Sequence, residues 1–115
     1  MGTIRISVDT DDRTLSFDLF ENPRQIGPGT RVAVPGNAEL IMGRMQMRKA
    51  FGFPETLELV LSFSSGVVSS LVASWLYGKL KGRRNTTLCI EEQKVEIEEG
   101  QIKRVFTRFV ELRDE

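Results

Sequence analysis

The feature that most constrains this chain is a change of hydrophobic period at residue 64. Upstream of it, Leu57, Leu59, Leu61 and Phe63 alternate with Thr56, Glu58, Val60 and Ser62, the period of two expected of a half-buried strand. Downstream of Ser64, Ser65 and Gly66, the residues Val67, Val68, Leu71, Val72, Trp75 and Leu76 fall on one half of a helical wheel. The pattern predicts a strand feeding a helix over Gly66 to Lys81. Ser64 or Ser65 is the expected N-cap, Lys79 and Lys81 complement the negative end of the helix dipole, and Gly82 stops the helix. If the strands before and after this helix are parallel, the crossover is right-handed.

The remaining elements are read around that unit. Ile4, Ile6 and Val8 alternate with Arg5 and Ser7, and Leu15, Phe17 and Leu19 alternate with Ser16 and Asp18. Together they predict a hairpin, with a polar turn at Asp9 to Arg13. Proline and glycine concentrate between Glu21 and Asn37 and leave room for one short strand, Arg31 to Val34. Ala38 to Phe53 carries both helical and strand periods and is read as strand. Thr86 to Ile90 and Val95 to Glu98 predict a second hairpin around a charged Glu91 to Lys94 turn. Finally, Ile102, Val105, Phe106, Phe109, Val110 and Leu112 share one face of a C-terminal helix, opposite Lys103, Arg104, Thr107, Arg108 and Glu111. The expectation is one α+β domain over residues 1–115. Its sheet is mixed, built from two hairpins and the central strand-helix-strand unit, with two amphipathic helices packed on it.

Composition narrows the chemistry. The 115 residues can bury about two-thirds of the surface their unfolded chain exposes, which suffices for one core. There is no histidine and a single cysteine, Cys89. Ser-His-Asp and Cys-His mechanisms are therefore excluded, and so are Cys/His zinc sites with four protein ligands. Sixteen Lys and Arg balance sixteen Asp and Glu, so no net field draws the chain toward polyanions. Met1 to Val8 lacks the charged and apolar regions of a secretion signal, and with one cysteine the expected setting is the cytoplasm.

Four features of the sequence bear on function. The run Leu59 to Gly78 has no charged side chain and ends in Trp75, Tyr77 and a basic stretch, as a membrane anchor does, but six serines and the period-two start argue against spanning. Ser62, Gly66, Ser70 and Ser74 recur every four residues, and Ser69, Ala73 and Tyr77 lie on or beside the same side, a face that lets another backbone approach. Lys79, Lys81, Arg83 and Arg84 form one of three basic clusters, with Arg44, Arg48 and Lys49, and with Lys103, Arg104 and Arg108, that would hold a nucleic acid or other polyanion if they converged. The acidic groups, Asp9 to Asp12 and Glu91 to Glu99, read as solvated turns: the first lacks the glycine and terminal glutamate of a calcium loop, and the second lacks a pocket. No motif calls for a cofactor or a metal.

An N-terminal strand ending in Asp11 and Asp12, the Met42 and Gly43 pair, a strand, Gly66, a helix carrying Trp75 and Leu76, a basic stretch and a terminal hairpin resemble, in this order, the effector-associated constant components of prokaryotic conflict systems. The resemblance covers residues 4–98. It implies an accessory protein beside an effector enzyme, with no catalytic residues. The functional expectation is thus a non-enzymatic interaction or assembly module, a homo-oligomer or a protein's partner, acting through the small-residue helix face or an exposed sheet edge. Polyanion binding and membrane association are the alternatives.

Overall fold

A computed structural model describes residues 2–12, 14–21, 27–46, 55–83 and 85–113. The order is β1 (Gly2–Thr10), α1 (Leu15–Leu19), β2 (Arg31–Val34), β3 (Ala38–Gln46), β4 (Glu55–Phe63), α2 (Ser69–Leu80), β5 (Thr87–Ile90), β6 (Gln93–Val95) and α3 (Glu99–Arg113). The six strands form one sheet in the order β2-β3-β4-β1-β5-β6. The protein is α+β, as its periods predict. Its sheet is antiparallel at every pairing rather than mixed. The strands that flank α2 are parallel to each other, but at one remove. β4 and β5 both pair antiparallel with β1 and so run parallel to each other, with β1 inserted between them and α2 as the crossover.

That insertion explains the largest departure from expectation. Leu15 to Leu19 is a short helix, not the second strand of a hairpin. Both edges of β1 are already taken, by β4 over its whole length and by β5 from Ile6 to Asp9, so a hairpin partner has no edge to join. Asp12 Oδ1 accepts the Thr14 N–H at 2.9 Å and the Thr14 hydroxyl at 2.6 Å, which turns the chain out of β1 and into α1. Leu15, Leu19 and Phe20 then meet the core, while Phe17 is partly exposed.

The pleat sorts side chains onto two faces. Ile4, Ile6, Val8, Val32, Val34, Leu40, Met42, Leu57, Leu59, Leu61, Phe63, Leu88, Ile90 and Val95 are buried, and cross-strand register places them on one face. The helices supply the other half of this core, through Leu15 and Leu19, through Val72, Ala73, Leu76 and Leu80, and through Ile102, Val105 and Phe106. The opposite face holds Arg5, Ser7, Glu58, Val60, Ser62 and Cys89, none of them buried, and carries no helix among the described residues.

Two tight turns differ from expectation as well. The second hairpin turns at Glu91 and Glu92 alone, because Ile90 pairs directly with Gln93. Both turn residues have positive φ, 51° and 67°, the twist a two-residue hairpin needs and that glutamate does not advertise. Between β2 and β3, Gly36 has φ 100° and its carbonyl accepts the Val68 N–H at 2.9 Å. A Cβ there would lie 2.6 Å from the Val68 carbonyl oxygen, so the glycine sets how closely α2 approaches the sheet. β3 bulges by one residue between Met42 and Met45, where Gly43 lies so near β4 that a Cβ would come within 2.9 Å of the Glu58 carbonyl oxygen. The strand expected over Ala38 to Phe53 is β3 up to Gln46, and its remainder lies outside the described residues. We predict that Gly36→Ala lowers stability by about 2 kcal/mol or more, measured as a shift in urea midpoint.

Candidate functional site

The uncharged run from Leu59 to Gly78 is divided between the end of β4 and the twelve-residue α2. No helix among the described residues is long and apolar enough to cross a membrane. α2 is also shorter and differently rotated than its sequence predicts. It starts at Ser69 rather than Gly66, and its N-cap is Val68, which makes no side-chain cap bond, rather than Ser64 or Ser65. Val72, Ala73, Leu76 and Leu80 face inward, whereas Leu71 and Val68, expected inside, are 50% and 41% exposed. The reason lies in the composition. With no charge on any face between Ser69 and Gly78, the small-residue and large-residue sides of the wheel differ little in polarity. Packing therefore fixes the rotation: Gly36 comes against Val68, Leu71 and Val72, and fully buried Ala73 faces the core.

This redraws the small-residue face. Ser70 and Ser74 are exposed on α2 as expected, Ser69 and Tyr77 are half-buried beside them, and Ala73 is withdrawn into the core. Gly66 sits in the turn before the helix, where its carbonyl accepts from Asn37 Nδ2 at 3.1 Å. Ser62 lies on β4 with its side chain on the helix-free face of the sheet. The four-residue series therefore runs forward to exposed Gly78 instead of back to Gly66 and Ser62. Leu71 and half-buried Trp75 flank it, giving an outward strip without charge that ends where Lys79 Nζ stands 5.7 Å from the Trp75 ring and Lys81 Nζ 5.9 Å from the Tyr77 ring.

The basic cluster after α2 is not the free cationic patch that its spacing suggests. The Arg83 side chain is only 15% exposed and reaches back across the fold. Its guanidinium donates to Asp12 Oδ2 at 2.6 Å and to Asp18 in a close ion pair, while its Nε donates to the Lys79 carbonyl at 2.6 Å. One side chain thereby ties the end of α2 to the turn after β1 and to α1. Burial opposes the Arg83 charge, but the carboxylates of Asp18 and Asp12 outweigh it and raise its pKa. The hydroxyl and N–H of Thr14, followed by Arg83, hold the Asp12 carboxyl below its ordinary value. Two further arginines are also neutralised locally. Arg31 pairs with Glu39 at 2.8 Å, and Arg5 lies 3.6 Å from Glu91 and 3.9 Å from Glu92. Arg84, Arg48 and Lys49 lie outside the described residues, as does the side chain of Arg44. On α3, Lys103, Arg104 and Arg108 share an exposed face, where Arg108 donates to Gln93 Oε1 at 2.7 Å.

A concavity sits on the helix-free face of the sheet. It encloses about 520 Å³ over the middle strands, with Arg5, Ser7, Gly43, Glu58, Val60, Cys89 and Glu92 among its walls. Sequence reading missed it because its residues come from four separate strands and a turn, and only the cross-strand register assembles them. The alternation of Arg5 and Ser7, or of Glu58 and Val60, marks a face away from the core but not what gathers there. The concavity pairs no nucleophile with a base. Cys89 lies beside the backbone of β1, and Glu58 and Glu92 are both exposed. No group of three or more acidic or cysteine side chains among the described residues has the spacing to hold a metal ion.

Comparison with protein-family models, with curated proteins and with solved structures finds no match. The class defined by the structure is therefore architectural: a two-layer α+β protein in which, among the described residues, three helices lie on one face of an antiparallel sheet and none on the other.

Replacing Arg83 by methionine is expected to cost about 2 kcal/mol in urea unfolding, because it leaves two carboxylates without their cation. The depressed Asp12 pKa adds a pH dependence of defined sign. Its stabilisation is complete above the ordinary aspartate value of about 3.9 and disappears as pH falls through the lower folded value. The gap between wild type and Arg83→Met should accordingly narrow below about pH 4.

Proposed function

We propose that this chain is a non-enzymatic interaction or assembly module that binds a protein partner through the outward face of α2. The observation that carries this reading is the exposure of Val68 and Leu71 at a helix whose outward side, from Ser70 through Ser74 to Gly78, bears no charge before Lys79. A helix that meets only water normally presents charged residues there. An uncharged strip of small side chains with leucine and tryptophan at its margin instead suits a closely approaching apolar surface. The cytoplasm is the proposed setting, in keeping with a lone thiol. The order of elements that resembles effector-associated constant components supports a role as an accessory part of a larger prokaryotic system, beside an enzyme that supplies the chemistry.

The reading predicts a partner lost by surface substitution alone. Tagged protein from its native cell is expected to retain a partner in fixed proportion that Leu71→Asp and Ser74→Arg both lose, with circular dichroism unchanged. Recovery of the same partner in the same proportion with both variants would contradict it.

A further inference from the structure

We infer that the helix-free face of the sheet is a pairing surface for a second copy of this chain, about a twofold axis that runs along the strands between β1 and β5. The argument rests on where register places charge. Across the sheet, Glu58 on β4 stands opposite Ser7 on β1, Ser7 opposite Cys89 on β5, and Cys89 opposite Lys94 on β6. This one row has a carboxylate at one end and an ammonium at the other, three inter-strand spacings or about 14 Å apart. Both side chains are exposed, and neither takes part in any of the described ion pairs. Between them stand only the short side chains of Ser7 and Cys89.

The neighbouring row is charge-paired within the chain. Arg5 lies on the β1 side, and the Glu91 and Glu92 carboxylates lie at the turn on the β5 and β6 side, where the Glu91 N–H donates to the Arg5 carbonyl at 2.8 Å. In the row from Glu58 to Lys94 the charge is antisymmetric about the line between β1 and β5. A twofold axis along that line brings a second sheet face to face and exchanges the two sides of each row. Glu58 then meets the other copy's Lys94. A surface that is complementary to itself after exchange of sides selects a copy of itself over an unrelated partner.

The rest of the face fits aligned sheet-on-sheet packing. Half-buried Val60 on β4 supplies apolar area within the overlap, and the concavity floored near Ser7 and Cys89 admits the long side chains of a facing copy. The edges of the sheet are a poorer route to assembly, since β2 has four residues and β6 three. This pairing goes beyond the α2 reading and leaves α2, in the opposite layer, free for its own partner.

Charge exchange tests the proposal. Light-scattering mass at micromolar concentration should be twice the 13.0 kDa of one chain. It should fall to one chain for Glu58→Lys and for Lys94→Glu, and return to two for the double variant Glu58→Lys/Lys94→Glu. Near-ultraviolet circular dichroism establishes that each variant is folded. A monomeric wild type, single variants that stay dimeric, or a folded double variant that stays monomeric would each overturn this surface. Leu71→Asp should remain dimeric; dissociation by that change would locate self-association on α2 instead.

Discussion

Everything in this molecule depends on β1 having both of its edges paired. Ile4, Ile6 and Val8 are buried at the middle of the core because β4 flanks the strand on one side and β5 on the other. To bring β5 there, the chain must leave β4, cross the sheet as α2 and return in the same direction as β4. A crossover has to pass over one face, and here the three helices of the described residues share the face on which the apolar side chains lie. The other face is left to short and charged residues with Val60 and Ile41 among them. Both proposed surfaces follow from this: α2 presents its back to solvent, and the uncovered side of the sheet presents rows of side chains held in strict register.

The polar side of the fold is secured with similar economy. β1 ends at buried Thr10, whose hydroxyl bonds that of Thr86 at 2.8 Å just ahead of β5. Two residues later Asp12 turns the chain and receives Arg83 from the far end of α2. Thus the two segments that follow β1 and α2 are fixed to each other where hydrophobic packing gives out. An arginine placed among basic neighbours in sequence reads as a cation offered to a ligand, yet in space it closes a junction between elements.

What could be read in the sequence was whatever a local period determines. β4 is visible in Leu57 to Phe63, α3 in Ile102 to Phe109, and β2 between its prolines and glycines. Three features were not local. Leu15 to Leu19 alternates as a strand does, and only the occupation of both β1 edges excludes it from the sheet. The rotation of α2 is not encoded by polarity in a segment without charge, and it is settled by Gly36 and Ala73. The concavity on the open face is assembled by register, which no single segment contains. Of the expected interaction face, Ser70 and Ser74 remain outward, Ser69 and Tyr77 stand half-buried at its margin, and Ala73, Gly66 and Ser62 belong elsewhere.

The account makes the open sheet face its centre, and Cys89 reports on that face directly because it is a partly exposed thiol between Ser7 and Lys94. The decisive measurement is the rate at which a thiol reagent labels Cys89 in folded protein over a range of protein concentrations. The account predicts rapid labelling in dilute solution and progressively slower labelling as the copies pair. Labelling that required global unfolding would show that the chain itself covers this face, and a rate independent of concentration would show that no second copy does.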